Sequence, residues 1–224
     1  MCFECNRSLI THNSQRTTFT MKLKKINENL QKALIENGLT EANEMQQETF
    51  STLKSGADSV IQSIEKTGKS TTIVLNVIQR LEKTKGESTR ALILVQDKEK
   101  VLEMEELFLK LGTYTDLSIL GVHDKGDIDY DKNVISMGLD VLIGTPTRIN
   151  ALFSSAGFNI NTVKMFIVDD AEILMRLRMD AVILRLSQSI EKTQRVFFCN
   201  TITERVESLA ENIMIEPVFF EMEE

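Results

Sequence analysis

Residues 67–70 read Thr-Gly-Lys-Ser, which are the types and order of a phosphate-binding turn. They lie between an apolar run, residues 60–64, and a stretch with helical periodicity, residues 72–81. A glycine turn that opens a helix lets backbone N–H groups face an anion, while a lysine reaches terminal phosphates and a hydroxyl binds magnesium. The pattern therefore predicts nucleotide chemistry. The predicted nucleotide-binding residues of this loop are Ser63, Thr67, Gly68, Lys69 and Ser70.

The first half of the same loop departs from the usual glycine-rich pattern, because Glu65 and Lys66 stand where small residues are expected. A residue with a side chain held at positive φ costs ~1–2 kcal/mol. The carboxylate of Glu65 also repels phosphate, although the neighbouring Lys66 offsets part of that field. We expect nucleotide binding to be weakened and not abolished.

A pair of carboxylates, Asp169 and Asp170, follows another apolar run, residues 166–168. Carboxylates at a strand end can hold a phosphate-bound magnesium ion and orient an attacking water. The same pair could instead complement the dipole at the start of a helix. Because the phosphate turn and the acidic pair occur together and in this order, the sequence favours a nucleotide-binding fold.

Composition limits the remaining possibilities. The chain has 224 residues, of which 42% are hydrophobic, so it can bury one domain-sized core. Its net charge is −7, so any nucleic-acid binding must come from a local basic patch. Three cysteines give no disulfide framework, and no apolar run approaches the ~20 residues that span a bilayer. These features are typical of a cytoplasmic protein.

Short apolar runs alternate with segments of helical periodicity along most of the chain. This alternation predicts an α/β fold with a mostly parallel central sheet, helices on both faces, and ligands at the carboxyl ends of the strands. Two helices precede the first strand, one stopping at Gly38 and one near Gly56. The predicted strands are residues 60–64, 91–95, 117–120, 141–143, 166–168 and 196–199.

Seven segments, taken in order, resemble motifs of the first RecA-like domain of DEAD-box RNA helicases. Residues 38–46 are similar to the Q motif and 56–70 to motif I. Residues 96–99 stand where the family has Pro-Thr-Arg-Glu, and residues 120–122 retain one glycine of a Gly-Gly pair. Residues 144–148 are similar to Thr-Pro-Gly-Arg, 169–172 to Asp-Glu-Ala-Asp, and 199–201 to Ser-Ala-Thr. The resemblance implies a single RecA-like (P-loop NTPase) domain over residues 21–219. Its expected parts are a Q-motif region at 21–55 and a core at 56–219. A disordered tail is expected at 1–20 and an acidic tail at 220–224.

The resemblance also implies ATP and Mg²⁺ as cofactors and RNA as a partner. It assigns Gln46 to adenine, and Ser70 and Asp169 to the magnesium ion. Lys69, Asp170 and Thr201 take the catalytic positions. Residues expected to contact the RNA sugar-phosphate backbone are Lys98, Gly121, Thr145 and Arg148.

Departures from the family pattern predict weak or no ATPase and unwinding activity. Asp170 replaces the family's glutamate and is one methylene shorter, and a misplacement of ~1 Å can cost about a hundredfold in rate. The resemblance also implies a second RecA-like domain that does not follow residue 219, and the arginine finger of such a domain is worth roughly 10³–10⁵ in rate. Three alternatives stay open: the sequence is a fragment of a longer protein, a second RecA-like domain or another protein acts in trans, or the domain has lost catalysis. If active, the protein would be a helicase-type ATPase.

Two other functions remain open on the sequence alone. A nucleotide-independent adaptor that binds another protein would explain the altered residues Glu65, Lys66 and Gln96. An unrelated phosphate-loop enzyme, such as a small kinase, would explain the turn at 67–70 without the other motifs. Loss of magnesium-ATP binding would select the adaptor.

Overall fold

The computed structural model describes residues 26–85 and 88–222. The expected tail at residues 1–20 and the last two residues of the expected acidic tail lie outside these ranges. Among the described residues, no helix has the length and apolar character needed to cross a membrane.

Helices and strands alternate through most of the described chain. The strands are β1 Ser59–Gln62, β2 Ala91–Leu94, β3 Ile119–Val122, β4 Val141–Gly144, β5 Met165–Val168, β6 Gln194–Cys199 and β7 Val218–Glu221. The helices are α1 Glu28–Glu36, α2 Glu44–Ser55, α3 Lys69–Leu81, α4 Lys98–Leu111, α5 Ile128–Ser136, α6 Pro146–Ser154, α7 Ala171–Arg176, α8 Asp180–Gln188 and α9 Glu204–Ile213. A short 3₁₀ turn, Ile160–Thr162, precedes β5.

The seven strands form one sheet in the order β3-β4-β2-β5-β6-β1-β7, and every pairing is parallel. This confirms the predicted α/β class with a parallel sheet. Because all strands point the same way, the loops after β1, β2, β3, β4, β5 and β6 meet at one edge of the sheet. Most of the sequence motifs lie in those loops or at the helix starts that follow them, whereas residues 38–46 lie between α1 and α2.

Two apolar cores cover the two faces of the sheet. In β2, for example, Ala91 and Ile93 pack into the core under α1 to α4, while Leu92 and Leu94 pack into the core under α5 to α9. All four residues are fully buried, as expected for a central parallel strand that has helices on both sides. Helices on both faces therefore hold the loops at the carboxyl edge in fixed positions.

Local sequence signals explain where several helices begin and end. Asn43 and Gln46 form a reciprocal capping box at the start of α2, and Gly56 ends that helix with φ at +91°. Thr145 caps α6 through its side chain, and Pro146 occupies the first helical position, where no N–H is needed. The predicted stops at Gly38 and Gly56 both take positive φ.

Most strands begin or end one or two residues away from the sequence-based expectations; β1, for example, covers 59–62 instead of 60–64. Strand β3 covers 119–122 instead of 117–120, because its ladder with β4 runs on to pair Val122 with Gly144. Strand β7 continues to Glu221, so residues 220 and 221 belong to the sheet and not to a tail.

A buried ion pair ties the opposite, amino-terminal edge of the sheet together. Asp140, just before β4, accepts from the Arg90 guanidinium Nε at 2.9 Å and from the Ser118 N–H at 3.1 Å. The Asp140 side chain is 1% exposed. This contact links the entries to β2, β3 and β4 and is far from the loops that carry the motifs.

Candidate functional site

The turn between β1 and α3 has the shape of an anion cradle. Gly68 precedes α3 with φ at +86°, and a Cβ at this position would lie 3.1 Å from the Asn43 Nδ2 atom. Both facts favour glycine here. Gly68 has no side chain to cap the helix, so the first-turn N–H groups of α3 remain available to an anion.

Lys66, in the altered half of the loop, has φ at +65°. The sequence predicted that this position needs positive φ, and the backbone confirms it. A residue with a Cβ held in this region costs about 1–2 kcal/mol. The loop therefore keeps its turn with a strained backbone.

The Lys69 ammonium connects the loops after β1, β5 and β6. Its Nζ atom lies 3.3 Å from the Ser63 carbonyl oxygen and 3.3 Å from Asp170 Oδ1, and it also donates to the side-chain oxygen of Asn200. The amide nitrogen of Asn200 in turn donates to Glu172 Oε1 at 2.9 Å. Because three groups of the chain hold Lys69, an incoming phosphate must replace some of them.

Asp169 is fully buried beneath this network. Its Oδ1 atom accepts the Asp170 N–H at 3.1 Å, whereas Oδ2 has no hydrogen-bond partner among the described residues. Burial, and next the charge of Asp170, raise the pKa of Asp169 to about 7, against the opposing charges of Lys100 and Lys69. A buried carboxylate oxygen without a partner costs free energy that a cation would recover.

The residues at this position fit a magnesium ion held mainly through nucleotide phosphates. Magnesium prefers oxygen ligands and commonly uses one or two carboxylates together with substrate phosphates. Asp169 Oδ2 and the Ser70 hydroxyl would be its protein-side oxygens. No group of three or more His, Cys, Asp or Glu among the described residues could bind a metal alone.

Two cavities flank the phosphate turn and share Lys66, Gly68 and Thr71 in their walls. The first has a volume of about 580 Å³ and contains the side chains of Lys69 and Asp170. The second has a volume of about 600 Å³. Its walls include three residues predicted to bind the nucleotide, Gln46, Ser63 and Thr67.

Gln46 is joined to the phosphate turn through Asn43. Gln46 Oε1 accepts the Asn43 N–H at 3.2 Å, and the Asn43 side chain donates to the Thr67 carbonyl at 2.7 Å. Thr67 also shares a 2.6 Å hydrogen bond with the Ser63 hydroxyl. The residue predicted to read adenine and the residues predicted to hold phosphate therefore form one connected unit.

Thr201 lies in a third cavity, next to Asn200 and Glu172, and it does not line the cavity that contains Lys69. Cys199, two residues before it, is fully buried, and burial raises the pKa of its thiol to about 12. Cys199 is thus a packing residue and not a nucleophile.

The four residues predicted to contact RNA lie within or just after β2, β3 and β4, which are neighbours in the sheet, and Gly121 is within β3. Lys98 begins α4 and is half-buried. The Gly121 N–H donates to Glu105 Oε1 at 2.6 Å, and the Thr145 hydroxyl lies 3.1 Å from Asp124 Oδ1. Two donors expected to face RNA phosphates therefore already contact carboxylates of the chain.

Arg148, the fourth residue predicted to contact RNA, is also bound to a carboxylate of the chain, and this contact is buried. Its guanidinium Nε and Nη2 atoms lie 2.8 Å and 2.6 Å from Asp131 Oδ2, and both side chains are less than a tenth exposed. This ion pair fixes Arg148 within the fold. RNA contact through Arg148 would require the pair to open or to rotate.

Comparison with known proteins identifies the family. The chain matches the model described as DEAD/DEAH box helicase over residues 43–209, which is more than half of its length. The chain belongs to the DEAD/DEAH box helicase family. This membership excludes the unrelated small kinase considered from the sequence.

Relatives of this DEAD-box chain are helicases about twice its length. It is 26% identical to the ATP-dependent RNA helicase eIF4A of Debaryomyces hansenii over 220 residues, covering 96% of this chain and 54% of the relative. It is 24% identical to the DEAD-box ATP-dependent RNA helicase CshC of Bacillus cereus, covering 84% of this chain and 48% of the relative. The chain spans about half the length of the curated relatives it matches.

Solved DEAD-box structures share the fold. A DEAD box protein from the hyperthermophile Methanococcus jannaschii superposes with a TM-score of 0.82 at 18% identity, covering 89% of this chain and 55% of that chain. A variant of S. cerevisiae Dbp5 bound to RNA and ADP-BeF₃ superposes with a TM-score of 0.80 at 19% identity, covering 90% and 51%. This DEAD-box chain is a single RecA-like α/β domain.

Several residues that shape the site of this DEAD-box domain were not found from the sequence. Asn43 and Glu172 lie within recognised motifs but were given no role of their own, and Lys100 lies in none of the motifs. All three are polar residues on or beside helices, where a solvated position is the ordinary expectation. Their roles depend on which strands are neighbours, and the strand order cannot be read from local patterns. Asn200 was part of a recognised motif, but its contact with Lys69 crosses 131 positions of sequence.

Proposed function

We propose that this DEAD-box domain binds ATP with Mg²⁺ and contacts the RNA backbone, with weak or no ATPase and unwinding activity of its own. The observation that carries the nucleotide part is the convergence of Lys69, Asp170 and the open N-terminus of α3 on one cavity of about 580 Å³. A lysine, helix-start N–H groups and an acidic loop are the components that hold phosphates and magnesium in P-loop proteins.

Magnesium would be held by Asp169 and Ser70 together with the phosphates. The unpartnered Oδ2 atom of Asp169 supports this assignment, because a hard cation satisfies a buried carboxylate oxygen. Bound magnesium would supply charge neutralisation at the transferring phosphoryl group. The relatives' printed names describe ATP-dependent RNA helicases, which agrees with this choice of nucleotide.

Weak hydrolysis by this chain follows from the state of Asp170. This residue takes the position of the family's water-orienting glutamate, has a shorter side chain, and forms an ion pair with Lys69. A carboxylate that is one methylene short and bound to a lysine is poorly placed to act on water. Thr201 completes the proposed catalytic set. A second RecA-like domain or another protein in trans would supply the remaining transition-state charge.

The RNA part of the proposal rests on Lys98, Gly121, Thr145 and Arg148. These residues lie within or just after β2, β3 and β4, which are adjacent strands of the sheet. Such donors recognise phosphates and sugars and do not read bases. Because Glu105, Asp124 and Asp131 already occupy three of the four donors, we expect RNA binding to be weak and strongly dependent on salt. Cytoplasmic location remains a prediction.

A second candidate is a nucleotide-independent adaptor that binds another protein. Lys69 and three of the residues predicted to contact RNA, Gly121, Thr145 and Arg148, already bind other groups of the chain. Because these donors are satisfied without any ligand, their contacts favour the adaptor. Nucleotide binding separates the two candidates.

The test is the thermal unfolding temperature, Tm, of the chain with and without millimolar Mg-ADP. Ligand at about ten times its Kd stabilises by about 1.4 kcal/mol, which raises the Tm of a domain this size by a few degrees. We expect this rise in the wild type and not in Lys69→Ala. Lys164→Ala, a change to an exposed lysine at the opposite edge of the sheet, is the control that should behave like the wild type. Equal Tm values with and without nucleotide in the wild type would favour the adaptor.

A further inference from the structure

Lys100 is a cation in the nucleotide cavity that none of the motifs accounts for. It is the third residue of α4, which begins where β2 ends, and β2 is the neighbour of β5 in the sheet. This position places Lys100 in the wall of the same cavity as Lys69, Ser70 and Asp170. Lys100 thus faces the space where the phosphates are proposed to bind, together with Lys69.

We propose that Lys100 is a second phosphate-binding residue of this cavity, acting together with Lys69 on the diphosphate of the nucleotide. The inference rests on the proposed function, since it assumes that the cavity binds a nucleotide. It assigns a role to a residue that belongs to none of the sequence motifs.

Lys100 is charged and only partly hydrated. Its side chain is 21% exposed. Burial alone would lower the pKa of Lys100, but the carboxylates of Asp169, Glu103 and Asp170 outweigh burial and raise it. The ammonium therefore keeps its proton at neutral pH and sits in the field of the two aspartates at the end of β5.

Lys100 is easier for a phosphate to recruit than Lys69. Its Nζ atom has one ion-pair partner among the described residues, Glu103 Oε2 at 3.2 Å, and that glutamate is 60% exposed. Solvent-exposed ion pairs contribute little to stability, so exchange for a phosphate oxygen is inexpensive. Lys69 has three partners, of which Asp170 is 12% exposed.

The position of Lys100 beside these carboxylates also affects how nucleotide affinity depends on magnesium. Phosphates entering this cavity meet the carboxylates in its wall, those of Asp170, Glu65, Glu103 and Glu106, which repel them unless a cation intervenes. Lys100 is a fixed cation on the same wall, so it would offset part of this repulsion when no divalent ion is present. Its effect on affinity should therefore be greatest without magnesium.

Calorimetric titration with ADP in excess Mg²⁺ and in excess EDTA tests the inference. Lys100→Met removes the charge and keeps most of the aliphatic stem. Losing a charge-assisted hydrogen bond corresponds to about tenfold or more in affinity, and we expect that loss in EDTA, with a smaller loss in Mg²⁺. The folded state of each variant is checked by its denaturant midpoint.

Lys164→Met is the matched control. Lys164 is an exposed lysine just before β5, at the amino-terminal edge of the sheet and away from the cavity. It should bind ADP within about threefold of the wild type in both buffers. A Kd for Lys100→Met within about threefold of the wild type in EDTA would overturn the role of Lys100 and leave the proposed function standing. No ADP binding by the wild type in either buffer would overturn both.

Discussion

Lys66 holds the phosphate turn in a left-handed conformation with φ at +65°, a conformation in which glycine is not strained. We predict that Lys66→Gly raises the free energy of unfolding by up to about 1 kcal/mol. The relieved strain of about 1–2 kcal/mol is partly cancelled by the greater freedom of glycine in the unfolded chain, about 0.4–1 kcal/mol. Urea unfolding measures the difference.

Ala156→Gly is the matched control for Lys66→Gly, because Ala156 also has positive φ, +54°, and lies outside the cavities. Both variants should be stabilised to a similar degree. Only Lys66→Gly should also tighten ADP binding, since it relaxes the loop that faces the phosphates. A less stable Lys66→Gly would show that the side chain of Lys66 makes contacts worth more than the backbone strain.

Glu105 offers the clearest single-residue test of the RNA-side face. We predict that Glu105→Gln increases affinity for single-stranded RNA about threefold to tenfold at low salt. The glutamine can still accept the Gly121 N–H, but it no longer repels phosphate. Fluorescence anisotropy with labelled RNA measures the change, and the gain should shrink as salt rises.

Glu211→Gln serves as its control, since Glu211 is an exposed residue of α9 on the other face of the sheet. The same loss of charge there should leave RNA affinity nearly unchanged. Equal gains in both variants would mean that net charge, and not the contact at Gly121, limits RNA binding.

Some residues of the site could be predicted from the sequence, and the contacts of others could not. Gly68, Lys69 and Asp169 lie within or beside recognisable local patterns, and the fold brings them together as the patterns required. The partners of Arg148 and Gly121 could not be predicted, because Asp131 and Glu105 are ordinary helix carboxylates whose contacts depend on tertiary packing. Nothing in the order of residues distinguishes them from solvated charges.

Among the elements, the Asp140 contact is a buried polar link at the amino-terminal edge of the sheet, where it joins the residues just before β2, β3 and β4. We predict that Asp140→Asn lowers the free energy of unfolding by about 2–4 kcal/mol at pH 7, because it leaves the buried Arg90 guanidinium without a carboxylate. Nucleotide binding should persist in the folded protein, since the cavities lie at the other edge. Urea unfolding provides the measurement.

The pH dependence of this contact has a definite sign. Burial alone would raise the pKa of Asp140, but hydrogen bonds with Thr84, Arg90 and the backbone of Ser118 outweigh it and hold the pKa below its ordinary value of 3.8. The unfolded state therefore binds the proton more readily, and the stabilisation is present above pH 3.8 and lost as pH falls through the lowered pKa. The stability gap between wild type and Asp140→Asn should be constant near pH 6–7 and shrink below about pH 4. A gap independent of pH would contradict an ionised Asp140.

The sequence predicted the presence of helices and strands better than the residues at which they begin and end. The apolar runs of β2 and the capping residues of α2 are local signals, so both elements follow from the sequence. The limits of β3 depend on where its partner β4 stops, and the extension of β7 to Glu221 depends on pairing with β1 across a long stretch of chain. Strand order is a property of the whole sheet and could be expected only through the family resemblance.

The molecule as a whole is a RecA-like domain whose phosphate cradle is formed but partly occupied by its own polar groups. Lys69 is held by Ser63, Asp170 and Asn200, and Asp169 has one carboxylate oxygen without a partner. A ligand with phosphates and magnesium would satisfy these groups better than the chain does alone. The central claim is therefore that the altered loop still binds a nucleotide.

Calorimetric titration of the wild-type chain with Mg-ADP tests this claim most directly. The account predicts one site per chain with a Kd below about 1 mM, corresponding to a binding free energy of about −4 kcal/mol or more favourable. Absence of saturable heat up to several millimolar ADP, with the chain shown to be folded, would contradict it and leave the protein-binding adaptor as the better description.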